Sequence, residues 1–423
     1  MEALFFKNNR KKLVEKLPNG AVAILFAGHA PHKSADEQYP FTPNRNFYYM
    51  TGIAEPNVIV TLRNVNDSLE ETLYIEKSDP VMAKWIGASL TKEDAITHSG
   101  ITNIHYVEDF EKQFNRSLLN DSITDVYLDM ERREWGPAQP VVSQFANDLK
   151  QRYPYVSLYN VYPIIAEFRV FKTADEIAKI KEAITITKEG IYNVLRNAQN
   201  TKVEYELEAH FNFVLKSAGV KDFAFKTILA SGKNATVLHY EDNDASIEEH
   251  GLILLDLGAQ KDFYNADISF TFPASGTFSA RQKEIYTIVL NALRSTTQII
   301  KPGLKFADLQ QHTKTFLSDA CKKIGLIDEA DEITRYYYHG VSHFLGLDTH
   351  DVGSYNDRVL EPGMVLTIEP GLYIEEEGIG IRIEDDILVT EDGFENLSKD
   401  IIRTPEEIEA YMKEHAASVL ATK

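Results

Sequence analysis

Four carboxylates inside apolar runs restrict this chain more than any other feature. Asp256 lies within LILLDLG, Asp267 lies within NADISFTF, Glu369 ends the apolar run of VLTIEPG and Glu384 follows IGIRI. A carboxylate buried among strand residues costs too much to keep unless a cation or several donors compensate it. Asp256 alone would read as an edge residue facing water, and Glu384 beside Asp385 and Asp386 as a solvated turn. Taken together, four such acids need a shared cation. Two divalent ions carry the charge that four ionised carboxylates balance. Oxygen-rich ligation with one or two imidazoles suits Mn²⁺, Co²⁺ or Fe²⁺, with Zn²⁺ admissible. Two metals a few ångströms apart can share a water, lower its pKa and make it a nucleophile near neutral pH.

The imidazoles have an obvious source. HGVSHFLGLDTHDVG places His339, His343 and His350 in one stretch, with Asp348 and Asp351 interleaved. His339 and His343 are four apart, as in a helical zinc pair, but Gly340 and the loop-like composition argue against a helix there.

The surrounding pattern predicts two domains, which 423 residues can fill. Up to about residue 165, AVAILFAG, NVIVTL, ETLYIEK and TDVYLD read as strands, with helical stretches such as SQFANDLKQR between some of them. FTPNRNFYYMTG (residues 41–52) reads as a strand and turn. No glycine-rich phosphate loop follows any strand. A boundary falls near PIIAEFRVFK, giving an α/β domain over 1–168 and an α+β domain over 169–423. Beyond it, Thr173 and Glu176 form a capping box for a long amphipathic helix with Ile177, Ile180, Ile184, Ile191 and Val194 near one face. Thr201 with Glu204 repeats the device before a second helix that Gly219 ends, and Ser279 with Gln282 begins a third. GLILLDLGAQ, ADISFTFP, GMVLTIEPGLYI and GIGIRIEDDILVT supply the strands. A turn through KDFYN should bring the strands of Asp256 and Asp267 side by side.

Charge excludes several partners. The formal net charge is −20 and the pI about 5.1, which argues against nucleic acid and against an anionic membrane surface. The single cysteine, Cys321, rules out an internal disulfide and a Cys-based zinc site and suits a reducing compartment. MEALFFKNNRKKLVEKL is no signal peptide and no stretch approaches a membrane span, so the expected location is cytoplasmic.

LLDLGAQKDFYNADISFTF, HGVSHFLGLDTHDVG, LTIEPGLYI and IGIRIEDDILVT resemble, in order and spacing, the metal-binding segments of Xaa-Pro aminopeptidases (aminopeptidase P). That family belongs to the pita-bread metallopeptidases with prolidase and methionine aminopeptidase. The resemblance runs over the whole chain and implies a creatinase/aminopeptidase-like pita-bread catalytic domain behind a smaller α/β domain. Carried over, it makes Asp256, Asp267, His343, Glu369 and Glu384 ligands of two ions, with manganese expected. Asp267 and Glu384 would bridge, Asp256 would serve one ion, and His343 with Glu369 the other. No ligand is missing, unlike in relatives that lost the metal. His350 would stabilise the tetrahedral intermediate, Glu369 would shuttle the proton, and His339 and His239 would line the peptide site. Without the resemblance, His239 reads as a histidine satisfied in a turn. Arg382 would contact substrate or orient site carboxylates, a plain salt bridge being the alternative. Tyr373 would wall the pocket or serve as core. Trp85, in KWIG, would reach a neighbouring subunit of a dimer or tetramer, or be core. Arg45 would be a substrate contact.

The implied reaction releases the N-terminal residue from peptides with proline second. The X–Pro amide lacks an N–H, so it needs a site shaped for the pyrrolidine ring. Prolidase, an Xaa-Pro dipeptidase on the same scaffold, is the first alternative, with Ser342 leaning towards aminopeptidase P. A non-catalytic peptide-binding protein on this fold is the second.

Overall fold

The computed structural model describes residues 1–121, 123–131 and 140–420. The chain divides into two compact units, Met1–Phe168 and Arg169–Lys423.

The first unit is a six-stranded mixed sheet of β1 (Val22–Phe26), β2 (Ile59–Val65), β3 (Ser68–Ile75), β4 (Ile104–Tyr106), β5 (Asp125–Leu128) and β6 (Ser157–Asn160), ordered β4-β3-β2-β1-β5-β6. β1 is buried at every residue, as VAILF requires of a central strand. Phe26, Phe110, Phe114 and Leu128 join its core. Helix α1 (Ala3–Val14) precedes the sheet. The expected strand over residues 41–52 is instead helix α2 (Arg45–Thr51). Asn44 Oδ1 accepts from the Phe47 N–H at 2.8 Å and Gly52 closes the helix with a left-handed residue. The aromatic run suggested a strand, but the Asn and Gly at its two ends act as caps, and the caps decide. Helix α3 (Tyr162–Val170) follows β6 and holds Arg169 in its last turn.

In the second unit, α4 (Ala174–Asn197) starts at the expected capping box, with the Thr173 N–H donating to Glu176 Oε2 at 2.8 Å. Helix α5 (Glu204–Ser217) starts differently. Glu206, not Glu204, accepts from the free Lys202 and Val203 N–H groups, at 2.9 and 3.2 Å. Gly219, at φ 76°, lets the Val220 N–H reach back to Leu215 O. β7 (Ile228–Ser231), β8 (Leu252–Leu257) and β9 (Ile268–Pro273) form an antiparallel sheet ordered β9-β8-β7. The turn between β8 and β9 passes through a short ribbon whose tip, Asp262 and Phe263, has positive φ at both residues, the geometry that best matches strand twist. Helices α6 (Ala280–Gln298) and α7 (Phe306–Lys323) follow, α6 from the Ser279–Gln282 box. The chain then makes β10 (Val365–Ile368), β11 (Gly371–Ile374), β12 (Ile379–Arg382), β13 (Asp385–Val389) and β14 (Phe394–Asn396), in sheets β10-β13-β14 and β11-β12, and ends with α8 (Pro405–Leu420). Phe270, Phe272, Ile285, Leu309, Leu366 and Ile381 lie in one continuous core. Among the described residues no helix is long and apolar enough to cross a membrane.

Candidate metal centre

Backbone pairing, rather than proximity in sequence, assembles the acids. Asp256 stands opposite Ser269 in the β8–β9 ladder, and Asp267 lies one residue before β9. The Glu384 N–H, between β12 and β13, donates to Ser269 O at 3.1 Å. The 339–351 segment is irregular, as Gly340 foretold, but its middle pairs with the end of β10. The Thr367 N–H donates to His343 O and the Glu369 N–H to Val341 O, each at 2.9 Å. That pairing sets the His343 and Glu369 side chains together.

Donor atoms of Asp267, His343 and Glu384 all lie within 4.8 Å of one another. His343 Nε2 is 3.3 Å from Asp267 Oδ2 and 3.5 Å from Glu369 Oε1. His343 Nδ1 lies 3.0 Å from Phe344 O, a carbonyl that can accept from Nδ1–H and so leave Nε2, on the side of the acids, available as a ligand.

Burial and like charges disfavour the ionised acids of this cluster. Burial, then the charges of Asp256, Asp386 and Glu369, push Asp267 well above the usual carboxylate range. Burial, then Asp267 and Glu369, does the same to Glu384. Glu369 rises to about 7, burial outweighing the pull of His343 and Arg382. Asp256 Oδ1 and Glu384 Oε1 are buried with no hydrogen-bond partner, although such oxygens are normally satisfied. Their sister oxygens are taken. Arg382 Nη2 donates to Asp256 Oδ2 at 2.7 Å, and the Ser269 hydroxyl to Glu384 Oε2 at 2.8 Å. One oxygen of each carboxylate is therefore anchored while the other is free for a hard divalent ion, and the donor set fits one.

Arg382 also donates to Ser269 Oγ at 2.8 Å and to the Tyr373 hydroxyl at 2.9 Å. Tyr373 is 2% exposed, and its hydroxyl lies 2.9 Å from His339 Nε2. Burial first, then Arg382, lowers His339 to about 4, so it is neutral at physiological pH. The salt bridge expected as one reading of Arg382 is present, and it passes through Asp256. The His350 ring lies 4.3 Å from that of His343, centroid to centroid. His239 is exposed yet close enough to His339 to add to the downward pull on its pKa. Trp85, on a short helix of the first unit, is 81% exposed, which sets aside a core role. Arg45 donates to Thr42 Oγ1 at 2.7 Å.

Two elements of this arrangement escaped the sequence. Ser269, a serine on an apolar strand, joins Arg382 to Glu384, and the side-chain alternation of β9 was the available signal. Glu204 is not a cap. It is buried, and its carboxylate accepts from the Ser231 N–H and hydroxyl, the Tyr240 hydroxyl and the Ala245 N–H at 2.7–3.0 Å. It thereby pins both ends of the segment that carries His239.

Comparison with known proteins gives the family. Residues 178–391 match the model of metallopeptidase family M24, and residues 6–127 that of the aminopeptidase P N-terminal domain. The chain is 33% identical to the Xaa-Pro aminopeptidase of Escherichia coli (strain K12), over 96% of this chain and 97% of the other. A candidate aminopeptidase P from Bacillus anthracis superposes with TM-score 0.96 at 63% identity, covering 98% and 99% of the two chains. Aminopeptidase P from E. coli with the inhibitor Pro-Leu superposes with TM-score 0.91 at 32% identity, covering 99% of each. The expected fold, an α/β N-terminal domain and a pita-bread catalytic domain, is the observed one. This chain belongs to metallopeptidase family M24 and, within it, is a metal-dependent aminopeptidase of the aminopeptidase P family.

Proposed function

We propose that this enzyme releases the N-terminal residue from peptides whose second residue is proline, using two divalent ions held by Asp256, Asp267, His343, Glu369 and Glu384. The observation that carries the reading is the pairing of anchored and unpartnered oxygens on Asp256 and Glu384, beside donors of Asp267 and His343. The four carboxylates and the His343 imidazole would hold the ions, the acids balancing their charge. Manganese suits the oxygen-rich set, with Co²⁺, Fe²⁺ or Zn²⁺ also admissible. When bound, the ions supply a water-derived nucleophile at neutral pH and polarise the scissile carbonyl.

The chain's own residues do the rest. Arg382 and Ser269 orient Asp256 and Glu384. Glu369 takes the nucleophile's proton and delivers it to the proline nitrogen. The His350 imidazole donates to the developing oxyanion. His339, held by the Tyr373 hydroxyl, and His239 contact the peptide about the bond being cut. The Pro-Leu held by the E. coli relative has the form of the product left when Xaa-Pro-Leu loses its first residue. It therefore supports room for a third residue, which a dipeptidase would not need.

The two units, 1–168 and 169–423, serve as the N-terminal and catalytic domains. Exposed Trp85, with Val81 and Met82 also exposed near it, supports a homo-oligomer, a dimer or tetramer, in which Trp85 meets a neighbouring copy. The acidic chain with one cysteine suits the cytoplasm and a peptide partner rather than nucleic acid or membrane.

The test is hydrolysis of Xaa-Pro and Xaa-Pro-Xaa by chelator-treated enzyme with Mn²⁺ restored. Release of the first residue from the tripeptide is the expected result. Cleavage of the dipeptide alone would make the enzyme a prolidase. No cleavage of either with metal bound would overturn the reading.

A further inference from the structure

The 343–351 segment brings His343 and His350 to the centre, yet little of its backbone belongs to a sheet. A buried ionic cluster that the reaction above does not use holds it in place. Arg169 Nη2, in the last turn of α3, donates to Asp348 Oδ2 at 2.7 Å and Asp351 Oδ1 at 2.6 Å. Lys172 Nζ donates to Asp351 Oδ2 at 3.0 Å. The Arg169, Lys172 and Asp351 side chains are at most 2% exposed, and that of Asp348 is 24% exposed. Burial alone would raise the Asp351 carboxyl, but Lys172 and Arg169 together hold it below its ordinary value.

The packing leaves no slack. A Cβ on Gly346 would collide with Asp351 Oδ2 and Lys172 Cε, so glycine is required where the loop crosses the cluster. Asn265 fixes the Gly346 carbonyl through both its backbone and side-chain N–H groups, and the Asp351 N–H donates to Phe344 O at 2.8 Å. Buried charges in such a cluster seldom add net stability over apolar packing, which leaves geometry as their contribution. His350 lies in the chain between Asp348 and Asp351, the two acids that Arg169 grips. Fixing both acids fixes the backbone on either side of His350 and keeps its ring against His343.

We propose that Arg169 is a positioning residue for the reaction, clamping Asp348 and Asp351 so that the intervening His350 is held at the scissile carbonyl. The inference rests on the role of His350 proposed above. Guanidinium reach matters here because the single terminal nitrogen Nη2 serves both carboxylates, and a lysine ammonium, one atom shorter and without the rigid plane, does not place a donor at that point.

The experiment measures kcat, KM, metal content and melting temperature of the Mn²⁺-loaded full chain on an Xaa-Pro-Xaa tripeptide. The variants are Arg169→Lys, Asp348→Asn, His350→Ala, and each of the first two combined with His350→Ala. The expected result for Arg169→Lys is a kcat about 10- to 100-fold lower, the usual range for residues that orient a site from behind, with KM and metal content little changed. Asp348→Asn should show a smaller loss of the same kind. Neither should slow the His350→Ala enzyme further, because the group being positioned is already gone. Equal losses in both backgrounds, or a lowered melting temperature with kcat intact, would overturn the inference alone. Full kcat in His350→Ala would overturn the role of His350 and the inference with it. Should Arg169→Lys not fold, the partly exposed Asp348 provides the same comparison.

Discussion

Two kinds of backbone deliver side chains to this centre, and they do so with different security. Asp256, Asp267 and Glu384 come from or beside β8, β9, β12 and β13, where ladder hydrogen bonds set the register and the register sets which carboxylates meet. His339, His343 and His350 come from an irregular segment that has to be fastened piece by piece: by β10 near His343, by Tyr373 at His339, and by the Arg169 cluster around His350. A strand ligand depends on many shared bonds, whereas a loop histidine depends on a few named partners. Changes behind the strand acids should therefore act through the metal, and changes behind His339 and His350 through turnover.

The largest effect should come from the strand side. Asp267→Ala or Glu384→Ala should bring tripeptide cleavage down by more than about 100-fold, beyond the usual cost of losing an orienting partner, and metal analysis of the purified protein should show bound metal reduced. Retained cleavage in both would break the dinuclear reading. His350→Ala should cost on the order of 10²- to 10³-fold in kcat, the range for one oxyanion donor, with metal content unchanged. Metal loss in that variant would erase the distinction between strand and loop. Arg382→Lys stands behind the strand acids and should weaken metal affinity roughly 10- to 100-fold by titration. A pure kcat loss with unaltered affinity would place Arg382 on the substrate side instead.

The smallest effect concerns the metal-free protein. Glu369 has a folded pKa of about 7 against an ordinary 4.5, so folding takes up a proton between those values. Stability of the metal-free chain should accordingly fall as pH rises from about 4.5 to about 7. Saturating Mn²⁺ should remove that slope and raise the melting temperature, by about 2.7 kcal/mol of stabilisation at 100 times Kd. Melting curves across that pH range, with and without metal, check both. An unchanged slope with metal would mean the ion does not engage Glu369.

Legibility in the sequence followed the same divide. The strands of Asp256 and Asp267 announced themselves by apolar runs and a turn at Lys261–Asn265, and the capping boxes at Thr173 and Ser279 named their helices, because these signals are local. Residues 41–52 misled because aromatic content outweighed the caps Asn44 and Gly52. Thr201 misled because Glu204 had a stronger claim elsewhere, on donors 27 to 41 residues away. The acids Asp348 and Asp351 were visible from the start without an evident purpose, since their partners Arg169 and Lys172 lie 179 to 182 residues earlier.

By itself, the sequence determined that several carboxylates would be buried on strands and would need a cation, because apolar periodicity and the cost of an unpaired charge are readable residue by residue. Only the tertiary structure decided which oxygen of each carboxylate stays free. Arg382 takes one oxygen of Asp256 across 126 positions and Ser269 one of Glu384 across 115. Bonds at that separation exist only once strand registers have brought distant segments face to face.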